Sequence, residues 1–240
     1  MIAERPWKFE PVMRLAIGMF ASISVGVLLV QVFSLIWGAD TPLVKRLAFV
    51  VGTLSFHGAA FLFIFLFLRE HGLTWRQLLD WRGLRKVRLW IWCVATIAIV
   101  FPIVWAINQV TTSFLKKLHF PTELQSSVQL LQETHEVFQL IYFGLIAVVA
   151  APIVEEILFR GILYPYVKRL GYPGTALITT SLLFAATHAN LPAFLPLVVL
   201  AMFLVVLYEL TDDLLAPILA HSLFNLINFV YVIRNDISPF

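Results

Sequence analysis

The sequence predicts an all-α polytopic membrane protein with about seven transmembrane helices, and three observations predict it. Hydrophobic residues make up 60% of the 240, charged residues only 13%, and mean hydropathy is +0.90, against roughly 25% charged in a soluble domain. The apolar residues gather into runs near the ~20 residues that cross hydrocarbon. Charge sits in the links between runs, apart from Glu155, Glu156 and Arg160, which lie inside one. The length suits a single domain, and no internal repeat of fixed period is visible. The net charge of +3 leaves no nucleic-acid footprint, because the basic residues are spread over short loops. One cysteine, Cys93, rules out an intramolecular disulfide and reads as a small buried apolar side chain.

Taken in order, the first run, 13–37, is long and lacks a small-residue cleavage site, so it reads as a retained anchor. The second is 47–68, and its His57 reads as a packing residue. Residues 69–88 form a basic, amphipathic link in which Trp75 and Trp81 accompany Arg69, Arg76, Arg82 and Arg85, a combination suited to a membrane surface. The third run is 88–110, with Asn108 as helix–helix glue. Residues 111–136 are the longest polar link, and Thr122 after Pro121 reads as the cap of a short helix. His71, His119 and His135 fall in links and read as solvated. The fourth run extends from Phe138 toward Val167, and Gly171-Tyr172-Pro173-Gly174 is a turn. The fifth is 174–190, broken by Leu191-Pro192 from the sixth, 192–210. The seventh is 213–233, with Asp212 and Asp213 capping its positive end. This divides the chain into residues 1–136, with three helices and their loops, and a core at 137–233 holding helices four to seven.

Basic residues orient the array. On the side of the N-terminus lie Arg5, Lys8, Arg14, Arg69, Arg76, Arg82, Arg85, Lys86, Arg88, Lys168 and Arg169. The opposite side has Lys45, Arg46, Lys116, Lys117 and Arg234. The positive-inside rule then expects a multi-pass cell-membrane protein with a cytoplasmic N-terminus.

A charge at the centre of a membrane helix costs about 2.5–3.5 kcal/mol on insertion scales, so three within six residues need a reason. On a helix, positions i and i+4 share a face while neighbours diverge by about 100°. Glu156 and Arg160 can therefore pair, and Glu155 points elsewhere as the candidate for acid–base work. Polar groups on two other runs could meet it. Phe184 and His188 are four apart on the fifth, and His221 and Asn225 are four apart on the seventh. At ~1.5 Å per residue, Glu155 lies ~21 Å from Arg169, His188 ~21 Å from Gly174, His221 ~13 Å and Asn225 ~19 Å from Asp212. These depths allow the four to line one cavity.

Glu155-Glu156-x-x-x-Arg160, Phe184-x-x-x-His188 and His221-x-x-x-Asn225 together resemble the motifs of the type II CAAX prenyl protease and bacteriocin-processing family, the Abi or CPBP group of intramembrane proteases. The resemblance covers about 137–229. It implies a membrane endopeptidase in which Glu155 and His188 activate a water while His221 and Asn225 stabilise the oxyanion. It implies a peptide or protein substrate in the bilayer, such as a lipidated chain or a bacteriocin precursor. Glu155, His188 and His221 could also form a zinc first shell with an open position for water, although the metal-free glutamate mechanism is favoured. The sixth run departs from the family by placing Ala201-Met202-Phe203-Leu204 where glycines are common, which implies looser packing or a reshaped groove. A proton-coupled transporter also places Glu, Arg and His in the bilayer, and a non-catalytic scaffold or bacteriocin-immunity protein would tolerate their loss.

Overall fold

The computed structural model describes residues 7–123, 125–132 and 137–235. Among these residues the secondary structure is helical, without a strand: α1 (Phe9–Trp37), α2 (Pro42–Glu70), α3 (Val87–Lys117), α4 (Ser126–Gln132), α5 (Val137–Arg169), α6 (Pro173–Ala186), α7 (Leu191–Thr211) and α8 (Leu215–Asn235). Six are long and apolar enough to cross a membrane, all except α4 and α6. The expectation for the fifth run is corrected in length. The 14 residues of α6 span about 21 Å, short of the ~30 Å of hydrocarbon. It stops at Ala186 because Thr187 and His188 turn and Ala189 takes φ 48°. The chain then restarts as α7, whose cap Asn190 accepts from Ala193 N–H at 3.0 Å.

Contacts divide the chain into two compact units, Trp7–Trp75 and the residues from Arg76 onward. In the first, α1 and α2 are joined by a tight link. Gly38, at φ 83°, returns its N–H to Ser34 O, and Thr41 caps α2 ahead of Pro42. The two helices pack through small residues, since a Cβ on Gly18 would strike the Phe63 ring and one on Gly26 would strike Ser55. Arg14 pairs with Glu10 at 2.6 Å and with Glu70. His71 is not solvated. Its Nδ1 donates to Phe67 O at 2.8 Å at the end of α2, with the Trp7 and Phe67 rings against it.

The second unit is built around α7, which packs against α3, α6 and α8. The buried face of α3 is Leu89, Cys93, Ile97, Val100, Val104, Asn108 and Leu115, close to a 3.6-residue stripe, and Cys93 Sγ donates to Ala216 O at 3.4 Å. On α7, Leu200, Ala201, Leu204 and Leu207 are completely buried, so the absence of glycines has not loosened this helix. The polar link holds no helix at Thr122, because α4 begins at Ser126. His119 is exposed at φ 59°, and His135 lies outside the described residues. Asp212 ends α7 in the left-handed conformation, and Asp213 accepts from Leu215 N–H at 3.0 Å at the start of α8. The 3₁₀ turn Trp81–Arg85 packs on that cap, with Gly83 facing the Asp213 carboxylate.

Helix α5 departs from α-geometry twice, with π-helical stretches at Leu145–Ala150 and Ile157–Leu163. Each ends two residues before a proline, Pro152 or Pro165. A proline lacks the N–H for its own α bond and its ring presses on the carbonyl four residues back, and a wider turn just upstream accommodates both defects. Pro102 in α3 and Pro196 in α7 have no π stretch beside them, so a proline is not sufficient by itself.

Candidate active site

The α-helical turn Ala151–Glu156 lies between the two π stretches and carries both carboxylates. Glu155 is 6% exposed, Glu156 0% and Arg160 1%. Single charges this deep would be strongly unfavourable, and a buried charge persists when it is paired and hydrogen-bonded. Oε1 of Glu156 accepts from Arg160 Nη1 at 2.9 Å and from His221 Nδ1 on α8 at 2.8 Å. Arg160 Nη2 donates across to Ala201 O on α7 at 2.8 Å. One carboxylate oxygen and one guanidinium thus join α5, α7 and α8. Glu155 acts electrostatically on the same guanidinium.

Phe184 sits between these groups and α6. Its fully buried ring lies 4.8 Å beneath the Arg160 guanidinium carbon, a cation–π distance. It stands edge-on to Phe159 and to His221, with centroids at 5.2 and 5.7 Å, and meets His188 at 5.0 Å. The Phe184 carbonyl accepts from His188 Nδ1 at 2.9 Å. A carbonyl can only accept, so His188 carries its proton on Nδ1 and presents Nε2 as a lone pair when neutral. The Glu156 carboxylate imposes the same tautomer on His221. Both histidines are therefore oriented through Nδ1 and have Nε2 available for chemistry.

Residues 137–227 match the family model described as type II CAAX prenyl endopeptidase, Rce1-like. This segment resembles an Rce1-like domain. It contains all of α5, α6 and α7 and α8 as far as Ile227. Neither a curated protein nor a solved structure matches the chain.

Within the Rce1-like segment, several sequence expectations change in detail. Glu156 and Arg160 do lie side by side, but as part of a larger node that includes His221 and the Ala201 carbonyl. The carboxylate hydrogen-bonded to His221 is Glu156, the one that the sequence paired with Arg160. Half-buried His188 lies at the C-terminal end of α6, joined to the node through the Phe184 ring. Asn225 Nδ2 donates to Ala147 O in the first π stretch, at 2.8 Å.

The zinc set also meets a geometric test. Among the described residues no three His, Cys, Asp or Glu side chains are grouped to hold a metal ion, so Glu155, His188 and His221 as placed do not fit one. The participants that the sequence did not name are the Phe159 ring and two backbone carbonyls, Ala201 O and Ala147 O. A carbonyl carries no side-chain signature, so only the small residue at 201 hinted at a close approach.

Proposed function

We propose that the chain is an intramembrane endopeptidase, hydrolysing a peptide bond of a membrane-associated protein or peptide with Glu155 as general base. The observation that carries this reading is the pair of histidines held through Nδ1, His221 on the buried Glu156 carboxylate and His188 on the Phe184 carbonyl, within a segment that matches the Rce1-like model. His188 Nε2 accepts a hydrogen bond from the attacking water and orients it, while Glu155 takes its proton. Water oxygen bonds to the scissile carbonyl carbon and the carbonyl oxygen becomes an oxyanion. His221, held through Nδ1 on Glu156, stabilises that oxyanion when Nε2 carries a proton to donate. Asn225, one turn further along α8, has a second amide N–H to contribute. The C–N bond then breaks as the proton on Glu155 passes to the leaving amine. The substrate class is a lipidated chain or a bacteriocin-type precursor in the cell membrane, and the N-terminus is cytoplasmic. Glu155→Gln, His188→Ala and His221→Ala are each expected to abolish cleavage of a membrane-anchored peptide while the protein still inserts. Full activity in any of the three overturns the reading.

A further inference from the structure

The geometry points to a second task for Asn225: it is a positioning residue that replaces a backbone hydrogen bond missing from the turn before the carboxylates. The bond is missing for a local reason. In α-geometry Ala147 O would accept from Ala151 N–H, but that N–H goes to Ile146 O, in the π register. In π-geometry Ala147 O would accept from residue 152, which is proline and has no N–H. The carbonyl thus loses both of its regular donors within a membrane-spanning helix. There an unsatisfied backbone group costs several kcal/mol. The Asn225 amide supplies the donor, at 2.8 Å.

This contact has leverage because of its position. Ala147 is two turns ahead of Glu155, and Pro152 lies between them. His221 and Asn225 share a face of α8, one turn apart. His221 holds Glu156 beyond the proline, and Asn225 holds Ala147 before it. Two adjacent turns of α8 therefore clamp α5 on both sides of Pro152, fixing the direction in which the carboxylates leave the helix. The inference rests on the reading of Glu155 as the base, but the contact itself can be tested separately.

Ala147-Val148 is the single Ala–Val step in the sequence, so labelling alanine with ¹³C at the carbonyl and valine with ¹⁵N isolates the Ala147 carbonyl resonance in detergent-solubilised protein. Asn225→Ala is expected to move that resonance upfield, as a carbonyl losing a donor does, and to lower kcat about 100-fold, the scale of a misaligned reacting group, with KM little changed. Pro152→Ala returns an N–H at position 152. The double variant Pro152→Ala/Asn225→Ala is then expected to recover the resonance and part of the kcat lost in Asn225→Ala, the remaining deficit being the direct contact of Asn225 with the oxyanion. An unmoved resonance in Asn225→Ala overturns the proposal. So does a double variant with the resonance restored and kcat as low as in Asn225→Ala, which leaves Asn225 no task beyond the direct oxyanion contact. If the wild-type chain cleaves no peptide, the endopeptidase reading fails, and the carbonyl resonance still decides the role of Asn225.

Discussion

His221 Nδ1 donates to Glu156 Oε1 at 2.8 Å, and the same oxygen accepts from Arg160 Nη1 at 2.9 Å. The carboxylate therefore does more than neutralise a guanidinium. It fixes the ring of a histidine on another helix and the nitrogen that carries its proton. Removing one partner of a buried pair leaves the other charge uncompensated, at about 3–5 kcal/mol. Glu156→Gln is expected to destabilise the protein by that order. Glu156→Leu/Arg160→Met removes both charges and is expected to regain most of the stability without regaining cleavage. Thermal unfolding in detergent and a peptidase assay on the same samples check both halves.

The Phe184 ring contacts Arg160, His188 and His221 at once. Phe184→Ala should cost about 3–5 kcal/mol as a large-to-small core change. Phe184→Leu keeps more volume but no π face for the guanidinium. It is expected to fold with a smaller loss and to reduce kcat more than it raises KM, which steady-state kinetics would separate.

Two glycines give opposite expectations. A Cβ on Gly83 would run into Asp213 Oδ2, whereas one on Gly174 meets nothing within 4 Å. Gly83→Ala should displace the 3₁₀ turn from the start of α8 and cost about 1–3 kcal/mol, the range of overpacking. Gly174→Ala, in the first turn of α6, should be neutral or gain about 0.5–1 kcal/mol. Unfolding midpoints of the two variants, compared side by side, test the contrast.

Burial raises the Asp213 carboxyl above its ordinary value, with Asp80 and Asp212 adding to the shift and the Leu215 N–H opposing it. A carboxyl raised in the folded state favours folding fully below its unfolded pKa, and that contribution is lost as pH rises through the folded value. Asp213→Asn keeps an oxygen for the Leu215 cap and removes the charge. Its stability relative to wild type should therefore climb as pH rises from about 4 toward neutrality. A difference that is flat across this range would contradict the assignment.

The parts of the fold legible in the sequence are those set by composition or by local spacing. Apolar runs mark the long helices, because a 20-residue apolar segment has few alternatives. Glu156 and Arg160 pair because four residues make one turn. The site's remaining geometry depends on partners far away in sequence. Adjacent carboxylates diverge by a fixed angle, but which one meets α8 depends on where α8 lies and on how the π stretches rotate the helix. Pro152 and Pro165 are visible as letters, yet Pro102 and Pro196 look the same and leave their helices without a π stretch. The short α6 also read as a full span, because apolar residues continue past Ala186 into a turn that only the backbone reveals. Asp212 and Asp213 look alike as caps, and the chain direction at the end of α7 gives them different tasks.

The bond from Arg160 to Ala201 O limits how a peptide can reach the carboxylates. A chain arriving from the lipid needs two helices to part, and parting α5 from α7 would pull a buried guanidinium off its acceptor while its carboxylate stayed behind. The Lys168–Glu209 bridge, at 2.6 Å, ties the same two helices again near their ends. That seam is bolted at two heights, so a lateral gate belongs at another edge of the bundle, and cross-linking α5 to α7 should leave substrate entry intact.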